Sequence, residues 1–571
     1  MTVSPDHKHR LKNDMVFYNG VIYTADSSDN IVEALAVKDG KIVFTGSNKE
    51  AEKILDGAAE LIDLEGKMIL PGFIDAHIHA PGRALTDLFN ISLYEAPGQE
   101  AIIETVERYV RGNPELEIYY GEGFSIGAFR EDEVSRGPKK EHLDRICSTK
   151  PIVLYSSDCH LAWLNSKAFE FFGITGSSPS PRGGVIEKDP LTGELWGTLK
   201  ETAMRLIPEQ KYDTGQVEEA MRLFQRYLHS LGYTGILSVS MASAPPLEAI
   251  RSLEEKENLK LYVSSTVTID PDKDLNSQFD QIQELRAVFS SDLHSVNTAK
   301  FFADGVVEGA TAYLLEPYSA AAGKGSDYCG EFLWDPDKLK EAFLLANSAG
   351  FQVHVHSIGD ASTRYVLNAL EQVRNRLPGR DYRNTITHLQ LVEPSDISRF
   401  RKMQVIAAIQ PYWHYKEPGW WEAVDYHMLG ERAEREYPLQ SFLSAGVVVV
   451  SSSDHPVTTD PNPLKAIRAG VTRNLTAEES YGVDPIEDID DPRGLLNKGE
   501  RSSLTDMIRS FTAGSAYALF RDDVTGSLET GKNADLIILD QNLFTIEPLL
   551  IDKVRVLKTY FKGELVFNKD E

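Results

Sequence analysis

The chain has little cysteine. Only Cys147, Cys159 and Cys329 occur in 571 positions, too few and too scattered for a disulfide framework or a thiolate zinc cluster. It also lacks any uninterrupted apolar run of about 18 residues, the length that a membrane-spanning helix needs. Positive charge is the minority sign: 59 basic against 86 acidic residues leave a net charge of −27. That balance argues against nucleic acid and anionic membrane surfaces as partners. The first thirteen residues are polar and carry His7, Lys8, His9 and Arg10 with no apolar stretch behind them, so no secretory signal is read there. A soluble, reduced, cytoplasmic protein is the expectation.

What is present is an ordinary globular core. The hydrophobic content is 42% and the aromatic content 9%, which excludes wholesale disorder. The length suits one large domain of about 400 residues with a smaller one beside it. Residues 14–69 read as short strands joined by tight turns, with Asn19-Gly20 and Asp39-Gly40 as hairpin signals. The C-terminal end repeats this pattern around Lys562-Gly563. Two β-rich ends, 1–69 and 521–571, therefore predict one small sheet domain built from both termini.

The middle alternates strands with helices. Candidate strands end near His79, Ser240, Thr268, Asp304, His356, Gln390, Gln410 and Asp454. Eight strands with intervening helices is the count of a (β/α)8 TIM-type barrel, whose active site lies at the C-terminal strand ends. The first strand occupies 70–83 and the rest of the barrel 216–520. The interval 84–215 is far too long for a βα connection and reads as an inserted subdomain, placed where it could roof the barrel mouth.

The chemistry gathers at those strand ends. In Pro71-Gly72-Phe73-Ile74-Asp75-Ala76-His77-Ile78-His79 an apolar strand closes on two histidines. Side chains alternate along a strand, so His77 and His79 share one face about 7 Å apart and can converge on one ion. With His77 and His79 from the first strand come Lys300 (fourth), His356 (fifth), His388 (sixth) and Asp454 (eighth). Four imidazoles and a carboxylate suit zinc above all, with a position left open for water. Lys300 fits such a set only if it is neutral or modified, for an ammonium beside metal cations is strongly disfavoured. Carboxylation by CO2 would make it a bridging carbamate; pairing with a barrel carboxylate is the alternative. His229 and His294 read as packing residues, and His354 as packing or support one step deeper on the His356 face.

Further motifs resemble a known family. DCHLAWLNSKAF (158–169), RGGVIEKD (182–189), GTLKETA (197–203), KFFADG (300–305), HSIGD (356–360), THLQLV (387–392), SSDHPV (452–457) and GSLETGKNADLIILD (526–540) follow PGFIDAHIH in order. Together they are similar to the YtcJ-like metal-dependent hydrolases, amidohydrolase family 3 of the amidohydrolase superfamily, over nearly the whole chain. The resemblance implies a barrel with a β-sandwich made from both termini. It also implies a metal site from His77, His79, Lys300, His356, His388 and Asp454, with Lys300 carboxylated between two zinc ions, manganese or iron being the substitutes. Three positions depart from the family pattern: Cys159 replaces a glycine, Phe124 a frequent tryptophan, and His455 a tryptophan before the strand-8 proline.

The reaction expected is hydrolysis of an amide-type C–N bond in a small molecule by metal-activated water. Asp454 takes the proton and delivers it to the leaving amine. His160 binds the substrate or the developing oxyanion, unless it only holds the insert in place. Glu201 is a further candidate near the metals. Trp163 and Asn165 are expected to shape their segment, and Tyr412, Trp413, Trp420 and Trp421 to line an aromatic pocket. A single-metal deaminase, a non-catalytic scaffold, and an isomerase or lyase reusing the metals are the competing readings. A homodimer is the assembly expected of the class.

Overall fold

The computed structural model describes residues 15–55, 60–130, 133, 136–157, 161–181, 184–208, 210–239, 244–476 and 478–570. Short strands rich in β-branched and apolar residues build its centre: β1 (Phe73–Ile78), β2 (Tyr233–Ser238), β3 (Tyr262–Thr268), β4 (His294–Phe302), β5 (Gln352–Ser357), β6 (Thr385–His388), β7 (Ile406–Ile409) and β8 (Val449–Ser451). They form one parallel sheet in sequence order from β1 to β8. The edges meet just beyond the strand ends. Asp454 N donates to His77 O at 2.9 Å, and His79 N to His455 O at 2.9 Å. The result is a nearly closed eight-stranded barrel. Every residue of β1, β2, β6, β7 and β8 is buried, as parallel strands covered on both faces require.

Helices provide the parallel crossovers. The helix Pro336–Ser348 leads into β5; its cap Asp335 accepts from the backbone of Asp337 and Lys338, and proline occupies the first turn, where its missing N–H costs nothing. The helix Asp360–Arg376 buries Val366, Leu367, Leu370 and Val373, an i, i+1, i+4, i+7 stripe that gives it one apolar face.

Both chain ends contribute to the outer sheets of this unit. One sheet runs Lys41–Gly46, Ala34–Lys38, Met15–Tyr18, Glu60–Asp63; the other runs Glu564–Asn568, Val556–Phe561, Leu536–Leu539, Met68–Pro71, Val21–Tyr23, Ile31–Val32. Phe17, Leu35, Ile69, Leu536 and Tyr560 share one core. Asp39-Gly40 and Lys562-Gly563 turn true hairpins. Asn19-Gly20 does not. Met15–Tyr18 pairs with Ala34–Lys38 and Glu60–Asp63, whereas Val21–Tyr23 pairs with Ile31–Val32 and Met68–Pro71. The left-handed Asn19 (φ 58°) therefore carries the chain from one sheet to the next, because each flanking strand has its full set of partners elsewhere.

Residues 81–224 form a second compact unit. Its six-stranded sheet runs Gly184–Lys188, Leu195–Glu201, Leu161–Leu164, Ile152–Ser156, Tyr119–Phe124, Ile91–Ser92. Trp163 is fully buried against Phe124 and Phe129 and donates its indole N–H to Lys139 O at 2.9 Å. Phe124 is thus a core residue of this unit. Asn165 caps the helix Ser166–Phe171 through Ala168 N, and bonds Ile152 N, Cys147 O and Lys150 O as well. Among the described residues, no helix is long and apolar enough to cross a membrane.

Candidate metal centre

The C-terminal ends of β1, β6 and β8 carry the centre, and the backbone there is unusual. His388 (φ 77°), Leu389 (φ 54°) and Asp454 (φ 58°) adopt left-handed conformations without being glycine. Each such residue costs about 1–3 kcal/mol, and strain of this kind collects at functional sites. Asp75, one step below His77, is fully buried and ties two strands together. Its Oδ1 accepts from His77 N at 3.0 Å, and both oxygens accept from Ser453 N at 3.1 Å. Burial pushes its carboxyl up to about 7, against the lowering effect of those donors.

His77, His388 and Asp454 come together, with one ligand atom from each lying within 4.8 Å of the others. Asp454 Oδ1 is 3.3 Å from His77 Nε2 and 3.1 Å from His79 Nε2. The rings crowd around it: His77 is 5.7 Å from His79 and 5.1 Å from His388, and His356 is 4.5 Å from His388, centroid to centroid. Burial, followed by the neighbouring cationic groups, holds His77 and His388 well below the ordinary imidazole range; His356 falls to about 4 for the same reasons. Both effects favour the neutral imidazole, the form in which a histidine can hold a metal ion. Burial works the other way on Asp454, but the hydrogen bond from His79 and the surrounding His388, His79 and Lys300 keep its carboxyl below the usual range.

The hydrogen bonds say which nitrogen of each ring is free. His77 Nδ1 lies 2.8 Å from His354 Nε2, and His388 Nδ1 lies 3.0 Å from Gln410 Oε1. Both residues therefore offer Nε2 to the centre. His356 is the reverse: its Nε2 donates to Gly305 O at 3.1 Å, which leaves Nδ1 as its free nitrogen. Two neutral imidazole nitrogens beside a carboxylate fit a borderline-soft divalent ion, zinc foremost. His354 Nδ1 is buried without a hydrogen-bond partner among the described residues.

Lys300 is fully buried on β4, beside His354 in register on β5. Burial lowers its amine to about 7, partly countered by Asp454. Among the described residues none makes an ion pair with it; its Nζ sits 4.9 Å over the Phe302 ring. Four residues along, Asp304 ties KFFADG to HSIGD. Its carboxylate accepts from Tyr313 N, Ile358 N, Gly359 N and Ser362 Oγ at 2.8–3.0 Å, clamping the loop that follows His356.

Other expectations divide. Trp413 stacks over His388 at 5.9 Å with a 20° interplanar angle, and so reaches the centre. Tyr412 donates to Pro461 O, Trp420 is exposed, and Trp421 belongs to a hydrophobic core against which Trp413 also packs. His229 bonds Lys260 O and His294 bonds Ser265 Oγ, both buried structural residues. His455 turns its Nδ1 to Thr458 O. His160 and Cys159 lie outside the described residues, as does the side chain of Glu201. Asp304 and Gln410 are the supporting residues that sequence reasoning passed over. A lone polar residue closing each apolar strand, KFFAD and VIAAIQ, was the available signal.

Comparison with known proteins places this geometry in context. The model of the amidohydrolase family matches residues 60–567. YtcJ of Bacillus subtilis (strain 168), described as an amidohydrolase, is 27% identical over 569 residues, covering 97% of this chain and 99% of its own length. An N-substituted formamide deformylase of Arthrobacter pascens is 26% identical over 570 residues, covering 97% and 98%. Among solved structures, a metal-dependent hydrolase of uncharacterised activity from Pyrococcus furiosus superposes with a TM-score of 0.70 at 26% identity, over 94% of this chain and 99% of that one.

Proposed function

The chain belongs to the amidohydrolase family, and from that premise we propose that it is a metal-dependent hydrolase of a carbon–nitrogen bond in a small amide-type substrate. The convergence of His77, His388 and Asp454 within 4.8 Å carries the proposal. His79 and His356 extend the donor set, and Lys300 completes it at the end of β4. A divalent ion there, zinc first and manganese or iron next, supplies Lewis acidity that polarises a carbonyl and makes water nucleophilic near neutral pH.

Asp454 is the proposed proton carrier. Its carboxylate, held ionised and fixed by His79 Nε2 at 3.1 Å, accepts the proton of the attacking water and returns it to the leaving nitrogen. Lys300 is proposed to be carboxylated: its amine nitrogen bonds the carbon of CO2 and sheds a proton, which turns a buried amine without an ion-pair partner into an anion able to bridge two ions. Trp413 beside His388 and Phe302 beside His356 supply aromatic walls for an apolar substituent. The two outer sheets are read as one β-sandwich and residues 81–224 as an insertion after β1.

The tight three-residue group also suits a single ion, which keeps a one-metal deaminase as the second reading. Treating the protein with a chelator and then restoring zinc or manganese separates these cases. The restored protein is expected to cleave members of a panel of N-substituted formamides, simple amides, lactams and ureas, and the stripped protein none. Ammonia release from amino-heterocycles without amide cleavage selects the deaminase. Failure of the restored protein on every C–N substrate contradicts both.

A further inference from the structure

The proton on His388 is not left to chance. Ser452 Oγ donates to Ile409 O at 3.1 Å, so its single proton is committed and its oxygen can only accept from its other neighbour. That neighbour is Gln410 Nε2, at 2.7 Å. The amide nitrogen of Gln410 must therefore face Ser452, and a second contact of the same nitrogen, to Thr387 Oγ1 at 3.2 Å, agrees with that direction. With the nitrogen turned away, Oε1 faces His388 Nδ1 at 3.0 Å. A carbonyl oxygen only accepts, so Nδ1 carries the proton and Nε2 is left with its lone pair.

We infer that Gln410 is a positioning residue that, through Ser452, locks His388 in the Nδ1–H tautomer and so presents Nε2 to the metal centre. The inference rests on the proposed role of His388 as a ligand, but the tautomer itself is a property of the metal-free protein. Gln410, Ser452 and Thr387 are all fully buried, and the chain of bonds joins the ends of β6, β7 and β8. Direction therefore passes from a backbone carbonyl on β7, through a hydroxyl after β8, to an imidazole on β6. Partners of this kind tune metal sites by about 10–100-fold in affinity.

The test reads the tautomer directly. Metal-free protein labelled with 15N-histidine is examined by NMR, with His388 assigned by the signals that vanish in His388→Asn. Wild type is expected to show His388 protonated on Nδ1. In Gln410→Leu the ring is expected to shift toward the Nε2–H form, and zinc affinity to fall about 10–100-fold. Gln410→Glu keeps an acceptor toward His388 and is expected to retain both the tautomer and the affinity, which a purely steric role would not distinguish from leucine. Ser452→Ala leaves Gln410 in place but frees its amide to turn, and is expected to mix the two tautomers even if Gln410→Leu does not fold. An unchanged Nδ1–H form in Gln410→Leu or Ser452→Ala, or an Nε2–H form in wild type, overturns the inference. A locked tautomer in a protein that binds no metal would instead remove the proposed function and leave the lock standing.

Discussion

Asp454→Asn is expected to lower turnover by about 10³-fold while leaving the fold intact, in line with the worth of a positioned general base and acid. The substitution is nearly isosteric, and the backbone of Asp454 is held independently of its carboxylate by the bond from its N–H to His77 O. What changes is the chemistry. Asparagine cannot take a proton from water, and its amide presents either an acceptor or a competing N–H to His79 and His77, whose Nε2 atoms lie 3.1 and 3.3 Å from Asp454 Oδ1. Thermal unfolding should be displaced little, and the loss should appear in kcat far more than in KM. An Asp454→Asn protein with wild-type turnover would show that the proton moves through another group.

The second large effect concerns Lys300 and has two opposite signs. Lys300→Met is expected to remove hydrolysis, because methionine cannot form the carbamate. The same change is expected to stabilise the metal-free protein. A buried amine with no ion-pair partner among the described residues is costly, and an apolar chain of similar length avoids the desolvation cost of an unsatisfied buried donor, about 1–3 kcal/mol. Denaturant titration of metal-free wild type and variant measures that gain. Lys300→Ala adds a chemical check: short-chain carboxylic acids should restore part of its activity by supplying the missing anion. A stability loss in Lys300→Met, with full activity in Lys300→Ala, would mark the lysine as structural.

The barrel was legible because parallel strands buried on both faces read as continuous apolar runs, and each of these runs stops at a polar or ligating residue. His77 and His79 stand out by strand spacing together with the His and Asp residues that close later strands. Other features depend on the fold having closed. His354 meets His77 across 277 positions, and nothing local to HVHS reveals that contact. Gln410 looks like a strand terminus until Ser452, 42 positions on, shows which way its amide must point. Asn19-Gly20 carried a sound local signal for a left-handed turn, and the backbone obeys it. The partners of the flanking strands lie within residues 31–71, however, so the turn changes sheets and closes no hairpin. Trp413 and Trp421 look alike in sequence and meet at one hydrophobic core, and it is Trp413 that also stacks on His388.

Elemental analysis of protein purified without added chelator, run beside His77→Ala and His388→Ala, is the decisive measurement. Wild type should hold about one transition-metal ion per chain at the His77, His388 and Asp454 group, and about two if Lys300 is carboxylated, with both variants strongly depleted. Wild type without metal, and still empty after reconstitution with zinc or manganese, would contradict a metal centre at these strand ends.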